Sequence, residues 1–392
     1  MSVFAKFYCG IAVVRCSKSV FARVAYCCFL LFVCCPSIFA SKTEWAFVAS
    51  PAKGIYSYKF DADKVEVLEA GRAADLPHAS FMAVHPNNHN LYAVAEGASG
   101  ADSLVAAFSI DRETGKLEKI NQVASGGRGP CHICVNLTGE VAMVANYNSG
   151  SFAAFPIKHS GGLEVMSALI QDKGSSVNKQ RQEGPHAHCI LIGPHSHWAL
   201  GCDLGLDKVM IFQVNAADAT IVCHSTSSVA VKPGTGPRHI ALHPNNKFAY
   251  VINELDSTLT VFSWDRTDGT LKELQNISTL PKGFKGQNFP SEVVVHPNGN
   301  FVFGANRGHD SIVVFKIDDK TGTVSVVGHT PCGGHWPRHF EIDTTGKLLL
   351  VANEQSAQTS IFRIDTDSGT LTPTTTVLAL ERPMCVKCID AP

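Results

Sequence analysis

An excess of basic charge is what this chain most plainly lacks. Its 392 residues carry 33 Lys and Arg against 34 Asp and Glu, a formal net charge of −1. The broad basic footprint of a nucleic-acid binder is therefore absent. Length is what its apolar leader lacks. Lys6, Arg15, Lys18 and Arg23 stand with no acid before the run VAYCCFLLFVCC, and Ser37-Ile38-Phe39-Ala40 follows. That run is short for a membrane span, and the order of basic, apolar and small residues is that of a signal peptide. We expect residues 1–40 to be a leader cleaved near Ala40, a secreted or periplasmic product, and no stable membrane insertion. A retained anchor is the alternative, because Ile38 is larger than a cleavage site prefers. Loss of the four basic residues takes the net charge from −1 to −5.

Zinc-type cysteine spacing is scarce as well. Six of the 14 cysteines fall in the leader. The remaining even number, in an exported chain, permits disulfides. Cys189 and Cys202 flank a turn near His195 symmetrically and are expected to face each other on adjacent strands. Cys131 with Cys134, and Cys385 with Cys388, have metal-pair spacing, but residues three apart on a strand point to opposite faces. We expect buried thiols there and no metal. Asn136-Leu137-Thr138 and Asn276-Ile277-Ser278 match glycosylation acceptors.

What the chain has in abundance is one phrase. A proline-led strand recurs at Pro77, Pro130, Pro185, Pro237, Pro290, Pro337 and Pro383, at intervals of about 50 residues. After each of the first six come a turn, a second apolar run, a short gap, a third alternating run and a weaker fourth. Four short antiparallel strands at this period predict an all-β, seven-bladed β-propeller. The seventh copy stops after one strand at Cys385–Ile389, while WAFVAS, IYSYKF and VEVLEA near the start lack a first strand. The two fragments together complete a blade and remove the open edges. Residues 41–392 are thus expected to form one domain whose ring is closed by a C-terminal strand joining three N-terminal ones.

Comparing the repeats separates scaffold from site. Asn146, Asp203, Asn253, Asn306 and Asn353 end the second strand in five blades and read as backbone ties. The Pro-Asn turns after His85, His243 and His296 read as scaffold too. The next position along is irregular: Glu96, Tyr147, Leu204, Glu254, Arg307 and Glu354. The first strand opens with Ser80, Cys131, His188, Arg238, Ser291 and Arg338, followed by Phe81, His132, Cys189, His239, Glu292 and His339. Because the first two strands are antiparallel neighbours, both sets lie at one end of the ring. His186 joins them from the PHAH phrase. A concave mouth rich in His, Arg and Glu follows, an active-site candidate whose duller alternative is a structural ion network. Arg307 interrupts the carboxylate pattern set by Glu96, Glu254 and Glu354 and precedes Gly308, where a ligand is able to approach closely.

The phrases GPRHIALHPNNKFAYVINELDSTLTVF, FPSEVVVHPNGNFVFGANRGHDSIVVF and WPRHFEIDTTGKLLLVANEQ resemble the seven-bladed lactonase family, which includes propeller-type 6-phosphogluconolactonases and carboxymuconate cyclases. The resemblance runs from Trp45 to Ile389. It implies a metal-independent enzyme, without cofactor, that opens or closes a lactone ring at the channel mouth. By motif it assigns catalytic roles to His186, Arg238, Glu254 and Arg307. His132, His188, His239, Arg338, His339 and Glu354 are expected to bind the small-molecule lactone or carboxylate, with Glu254 or a neighbouring histidine as general base. A lactonizing cyclase, a non-catalytic exported binding propeller and a metal-dependent lactonase using the His cluster are the alternatives. The first is left open because sequence does not fix the reaction direction.

Overall fold

The structure, a computed structural model, describes residues 42–97, 103–193 and 197–392, with 225–227 described by backbone alone. The expected leader lies outside the described residues. Those residues form 28 strands in seven four-stranded antiparallel sheets. Among them no helix is long and apolar enough to cross a membrane.

The first three strands are β1 (Thr43–Ser50), β2 (Gly54–Asp61) and β3 (Glu66–Ala74). The second blade comprises β4 (Ala79–Val84), β5 (Asn90–Ala95), β6 (Leu104–Ile110) and β7 (Leu117–Ala124). The third comprises β8 (Pro130–Val135), β9 (Val141–Asn146), β10 (Ser151–Pro156) and β11 (Ala168–Gln171). The fourth holds β12 (Ala187–Ile192), β13 (Trp198–Asp203), β14 (Lys208–Asn215) and β15 (Thr220–Ala230). The fifth holds β16 (Pro237–Leu242), β17 (Phe248–Asn253), β18 (Thr258–Asp265) and β19 (Thr270–Ser278). The sixth holds β20 (Phe289–Val295), β21 (Phe301–Arg307), β22 (Ser311–Ile317) and β23 (Val324–Pro331). The last complete set is β24 (Pro337–Ile342), β25 (Leu348–Asn353), β26 (Gln358–Ile364) and β27 (Leu371–Ala379). The chain then returns as β28 (Cys385–Asp390), which pairs with β1 from Cys385 opposite Ala49 to Asp390 opposite Glu44. The ring closes as the truncated seventh phrase predicts.

Burial falls outward within each blade, and composition follows it. The second strands are buried along almost their whole length, as in LYAVA of β5 or FAYVIN of β17, whereas fourth strands such as β19 alternate with solvent. Side chains between sheets fill the core: Trp45, Phe47, Tyr92, Phe108, Phe152, Phe212, Tyr250, Phe262 and Phe303 are all but inaccessible. Each such ring contributes about 1.5–3 kcal/mol through burial. The scaffold reading of the histidine row has a visible cause. Nε2 of His85, His243 and His296 faces the carbonyl of Gly139, Gly299 and Gly346 in the following blade, at 3.0, 2.9 and 2.8 Å. Gly139 has φ +78°, and a Cβ there would lie 2.2 Å from the His85 ring. Only glycine meets both demands.

Six of the seven inner strands start with a β-bulge. Pro237 faces Asn253 and His239 faces Ile252, leaving Arg238 as the extra residue. Ser80, Cys131, His188 and Arg338 are the extra residues in their own blades, and β20 shifts likewise between Pro290 and Val293. No shift interrupts the pairing of β28 with β1. A bulge suspends the alternation of faces and re-aims side chains.

Candidate active site

The bulge residues meet the ends of the second strands in a cavity of about 290 Å3, lined by Glu96, Gly129, Cys131, Tyr147, Asn148, Arg181, His188, Arg238, Glu254, Arg307 and Arg338. Its centre is Glu254, 5% exposed at the end of β17. Arg307 Nη2 donates to Oε2 of Glu254 at 2.8 Å and Arg238 Nε donates to the same oxygen at 3.0 Å, while Arg181 Nη2 takes Oε1. Burial alone would raise this carboxyl, but Arg307, Arg238 and Arg181 outweigh it and pull it down to about 2. Burial works against the charge on Arg238 and Arg307, with Glu254 opposing it. Arg181 is also partly desolvated, yet Glu254 and Tyr147 push it up.

Both central arginines are also fastened by backbone. Arg238 Nη1 donates to the Ser291 carbonyl, and Arg307 Nε donates to that of Phe289 at 2.8 Å. Arg307 further lies over the Trp336 ring, 5.4 Å from its centroid. The bonds that Arg238 and Arg307 make to the described residues do not use Nη2 of Arg238 or Nη1 of Arg307, and both side chains line the cavity, which leaves two donors for a ligand.

The expected residues divide into layers. His188 lines the cavity with its Nδ1 3.8 Å from Cys131 Sγ, and burial keeps it neutral, well below its usual range. His186 sits at the rim. Its ring stacks on Tyr147 at 4.5 Å, with Nδ1 on the Tyr147 carbonyl and Nε2 on Glu183, both at 3.2 Å. Arg338 reaches the mouth between Glu354, at 3.6 Å, and Glu96, at 4.0 Å, and Glu354 is shared with Arg382.

His132, His239 and His339, expected at the mouth, lie one layer deeper. They surround Phe81, with ring centroids 4.3, 5.8 and 5.1 Å from it. Glu292 joins His239 at 3.0 Å and His339 at 3.3 Å. The physical reason is the bulge, which sends Arg238 to the mouth and the next residue, His239, into the channel. Burial holds all three imidazoles neutral, well below the ordinary range. Beyond this layer a second cavity of about 480 Å3 contains Lys387 paired with Glu341 at 2.8 Å.

Arg181 is the site residue that the repeat comparison misses. It belongs to no strand but to the connection between β11 and β12, and the only signal for it is the length of that connection. For metals, His132, Cys189 and His239 bring ligand atoms within 4.8 Å of one another. The backbone N–H of Ile190 donates to Nδ1 of His132 at 3.4 Å, which leaves the ring proton on Nε2, facing Cys189 Sγ at 3.5 Å. In this arrangement the ring donates to a thiol instead of presenting a lone pair. Cys189 and Cys202 do stand opposite each other in register, and all eight described cysteines are free thiols. Asn136 is buried, its Oδ1 accepting two backbone N–H groups, so the turn consumes this glycosylation candidate.

Residues 39–388 match the family model described as "Lactonase, 7-bladed beta-propeller". A 6-phosphogluconolactonase of Bacillus subtilis is 34% identical over 340 residues, covering 86% of this chain and 94% of its own. A putative 6-phosphogluconolactonase from Bacteroides fragilis superposes with a TM-score of 0.83 at 31% identity, over 91% of this chain and 100% of its own. A periplasmic gluconolactonase of Pseudomonas aeruginosa gives 0.84 at 26% identity, over 90% and 99%. The chain belongs to the seven-bladed β-propeller lactonase family, and by that membership it is a lactonase.

Proposed function

We propose that the protein hydrolyses a small anionic sugar lactone, with 6-phosphogluconolactone the leading substrate, in the mouth cavity. The observation carrying this reading is the set of arginines fixed around Glu254. Arg181, Arg238, Arg307 and Arg338 face Glu96 and Glu254 in the lining, an excess of two positive charges. Such a cavity favours an anion and, more so, the oxyanion that develops when water adds to a lactone carbonyl. The spare N–H groups of Arg238 and Arg307 would hold that oxygen, each such donor being worth about 10²–10³ in rate. Arg181 and Arg338 would take the remote anionic group.

A carboxyl held at about 2 is too weakly basic to deprotonate water efficiently near neutrality. Glu254 is assigned instead to anchoring the arginines, and His186 to the base. Its Nε2, exchanging Glu183 for water, would take a water proton as the hydroxyl adds to the carbonyl carbon. The imidazolium then returns that proton to the ring oxygen as the acyl C–O bond breaks, and the hydroxy acid leaves. His188 lines the pocket as a neutral donor to the sugar.

Hydrolysis of a panel of 6-phosphogluconolactone, unphosphorylated gluconolactone and carboxymuconolactone, with and without chelator, tests the assignment. Turnover of the phosphorylated lactone regardless of chelator is expected. Inertness toward every lactone would overturn it in favour of a binding module. Preference for the unphosphorylated ring is the second reading, favoured by the export-type leader and by the Pseudomonas neighbour's description as a periplasmic gluconolactonase. We place the mature protein outside the cytosol, beginning near Ser41, which N-terminal sequencing checks.

A further inference from the structure

In blades three, six and seven of the chain order, one amide ties the second strand to its neighbour. Asn146, Asn306 and Asn353 donate to the carbonyls of Ser125, Thr279 and Cys332 at 3.2, 2.9 and 3.1 Å. The equivalent residue on β13 is Asp203, which has no N–H to give. Its Oδ1 accepts the backbone N–H of His186 at 2.8 Å and of Leu206 at 3.1 Å. Among the described residues its Oδ2 is buried without a donor, and so is Oδ2 of Asp172. Asp172 follows β11 as Ser125, Thr279 and Cys332 follow β7, β19 and β23, so it stands where the other blades' amides reach, and the two carboxyls are hydrogen-bond neighbours. Two ionised carboxylates in that position would repel, whereas one retained proton makes the contact a hydrogen bond.

Asp172 opens the connection that runs to His186 and carries Arg181. Besides the bonds of Arg181 to Glu254 and of His186 to Tyr147, and the Leu204 N–H on the His186 carbonyl at 3.0 Å, three bonds fasten the connection to the blades. Asp172 N donates to Gly150 O at 3.0 Å, Ser176 Oγ to Asp207 at 2.5 Å and Gln182 Nε2 to Leu204 O at 2.9 Å. We propose that Asp172 and Asp203 are positioning residues that share one proton and so hold segment 172–186, which delivers Arg181 and His186 to the mouth.

Lys208 on β14 and Cys223 on β15 also face Asp172, while His186 and Cys202 flank Asp203. Lys208 favours ionisation of Asp172. Burial and the Asp203 carboxyl outweigh it and raise Asp172, and burial raises Asp203 as well. A folded-state value above the unfolded one means the tie is complete at low pH and lost as pH rises through the folded value.

The kinetic consequence rests on the lactonase reading, but the structural one does not. Hydrogen exchange of residues 173–185 in the full chain, corrected for intrinsic exchange, is compared at about pH 5 and about pH 9, beside KM for the lactone. Wild-type protection is expected to fall, and KM to rise, about tenfold across that range, one unit of linked pKa. Asp203→Asn gives Asp172 a permanent amide donor, as blades three, six and seven have, and should flatten both dependences. Asp172→Asn supplies the same amide from the opposite side and serves if the first variant fails to fold. His186 and Lys208 are retained in both, so a dependence owed to them would persist. Equal pH dependence in wild type and variants, or no change in wild-type protection, overturns the proposal. If no lactone is turned over, the exchange measurement decides it alone.

Discussion

Replacing Glu254 by Gln removes the carboxylate that pairs directly with Arg181, Arg238 and Arg307. The depression of this carboxyl from 4.5 to about 2 corresponds to roughly 3 kcal/mol of net attraction, at about 1.4 kcal/mol per unit. That figure agrees with the roughly 3–5 kcal/mol lost when one partner of a buried pair is removed. Denaturant unfolding at neutral pH should therefore show a loss of about 3 kcal/mol. A depressed carboxylate contributes fully above its unfolded value of 4.5 and loses that contribution as pH falls through about 2. The stability gap between wild type and variant should accordingly narrow over that acid range. The rate constant kcat/KM should fall at least about tenfold, because the oxyanion donors lose their anchor. Glu254→Gln combined with Arg181→Gln should recover part of the stability, since one uncompensated charge is gone. A single variant with wild-type stability and full turnover would refute the anchoring role. A kcat/KM profile whose acid limb shifts with residue 254 alone would restore it as the base.

Arg307→Ala should lower kcat at least about tenfold, whereas His243→Ala, which loses the Gly299 latch and the Asn245 N–H bond at the far end, should cost stability and leave kinetic constants in place. Deleting Pro383–Pro392 strips β28 from β1 and opens the ring, so the truncated chain should melt well below the full one; unchanged melting would contradict closure. Glu44 is wholly buried, and burial lifts its carboxyl to about 7 despite the Thr344 hydrogen bond. Its ionisation thus costs stability as pH rises from 4.5 to about 7, by up to about 3 kcal/mol, and Glu44→Gln should remove that loss in unfolding curves taken across the range.

The ring was legible because its cause is local. Each proline phrase begins a strand, and the strandless gap at the front matches the orphan strand at the back. Arg307 was legible as a departure from a repeat, and Arg238 and Glu254 as charged members of positions the repeat leaves variable. The depth of His132, His239 and His339 was not, since strict alternation has no term for a bulge, and the extra residue is visible only once Asn253 and Ile252 reveal what they face. Arg181 escaped because a connection outside the repeat has no internal copies to be compared with. Asp203 was seen as one of a row of short polar ties. What distinguishes it, a second acid arriving from 31 residues upstream, exists only in three dimensions.

The six bulges also bear on how such a ring changes chemistry over evolutionary time. An extra residue is by construction outside the ladder: Ser80, Cys131, His188, Arg238 and Arg338 each occupy a slot whose strand is already paired on both sides of it. Exchange of a side chain in that slot leaves the register, the inter-blade rings and the histidine latches untouched. The variety already present at one structural position, from hydroxyl and thiol to imidazole and guanidinium, shows how much the scaffold tolerates there. New substrate preferences in this family would be reached most cheaply by rewriting those slots, one blade at a time, with the Arg238 slot the exception because its side chain is paired with buried Glu254.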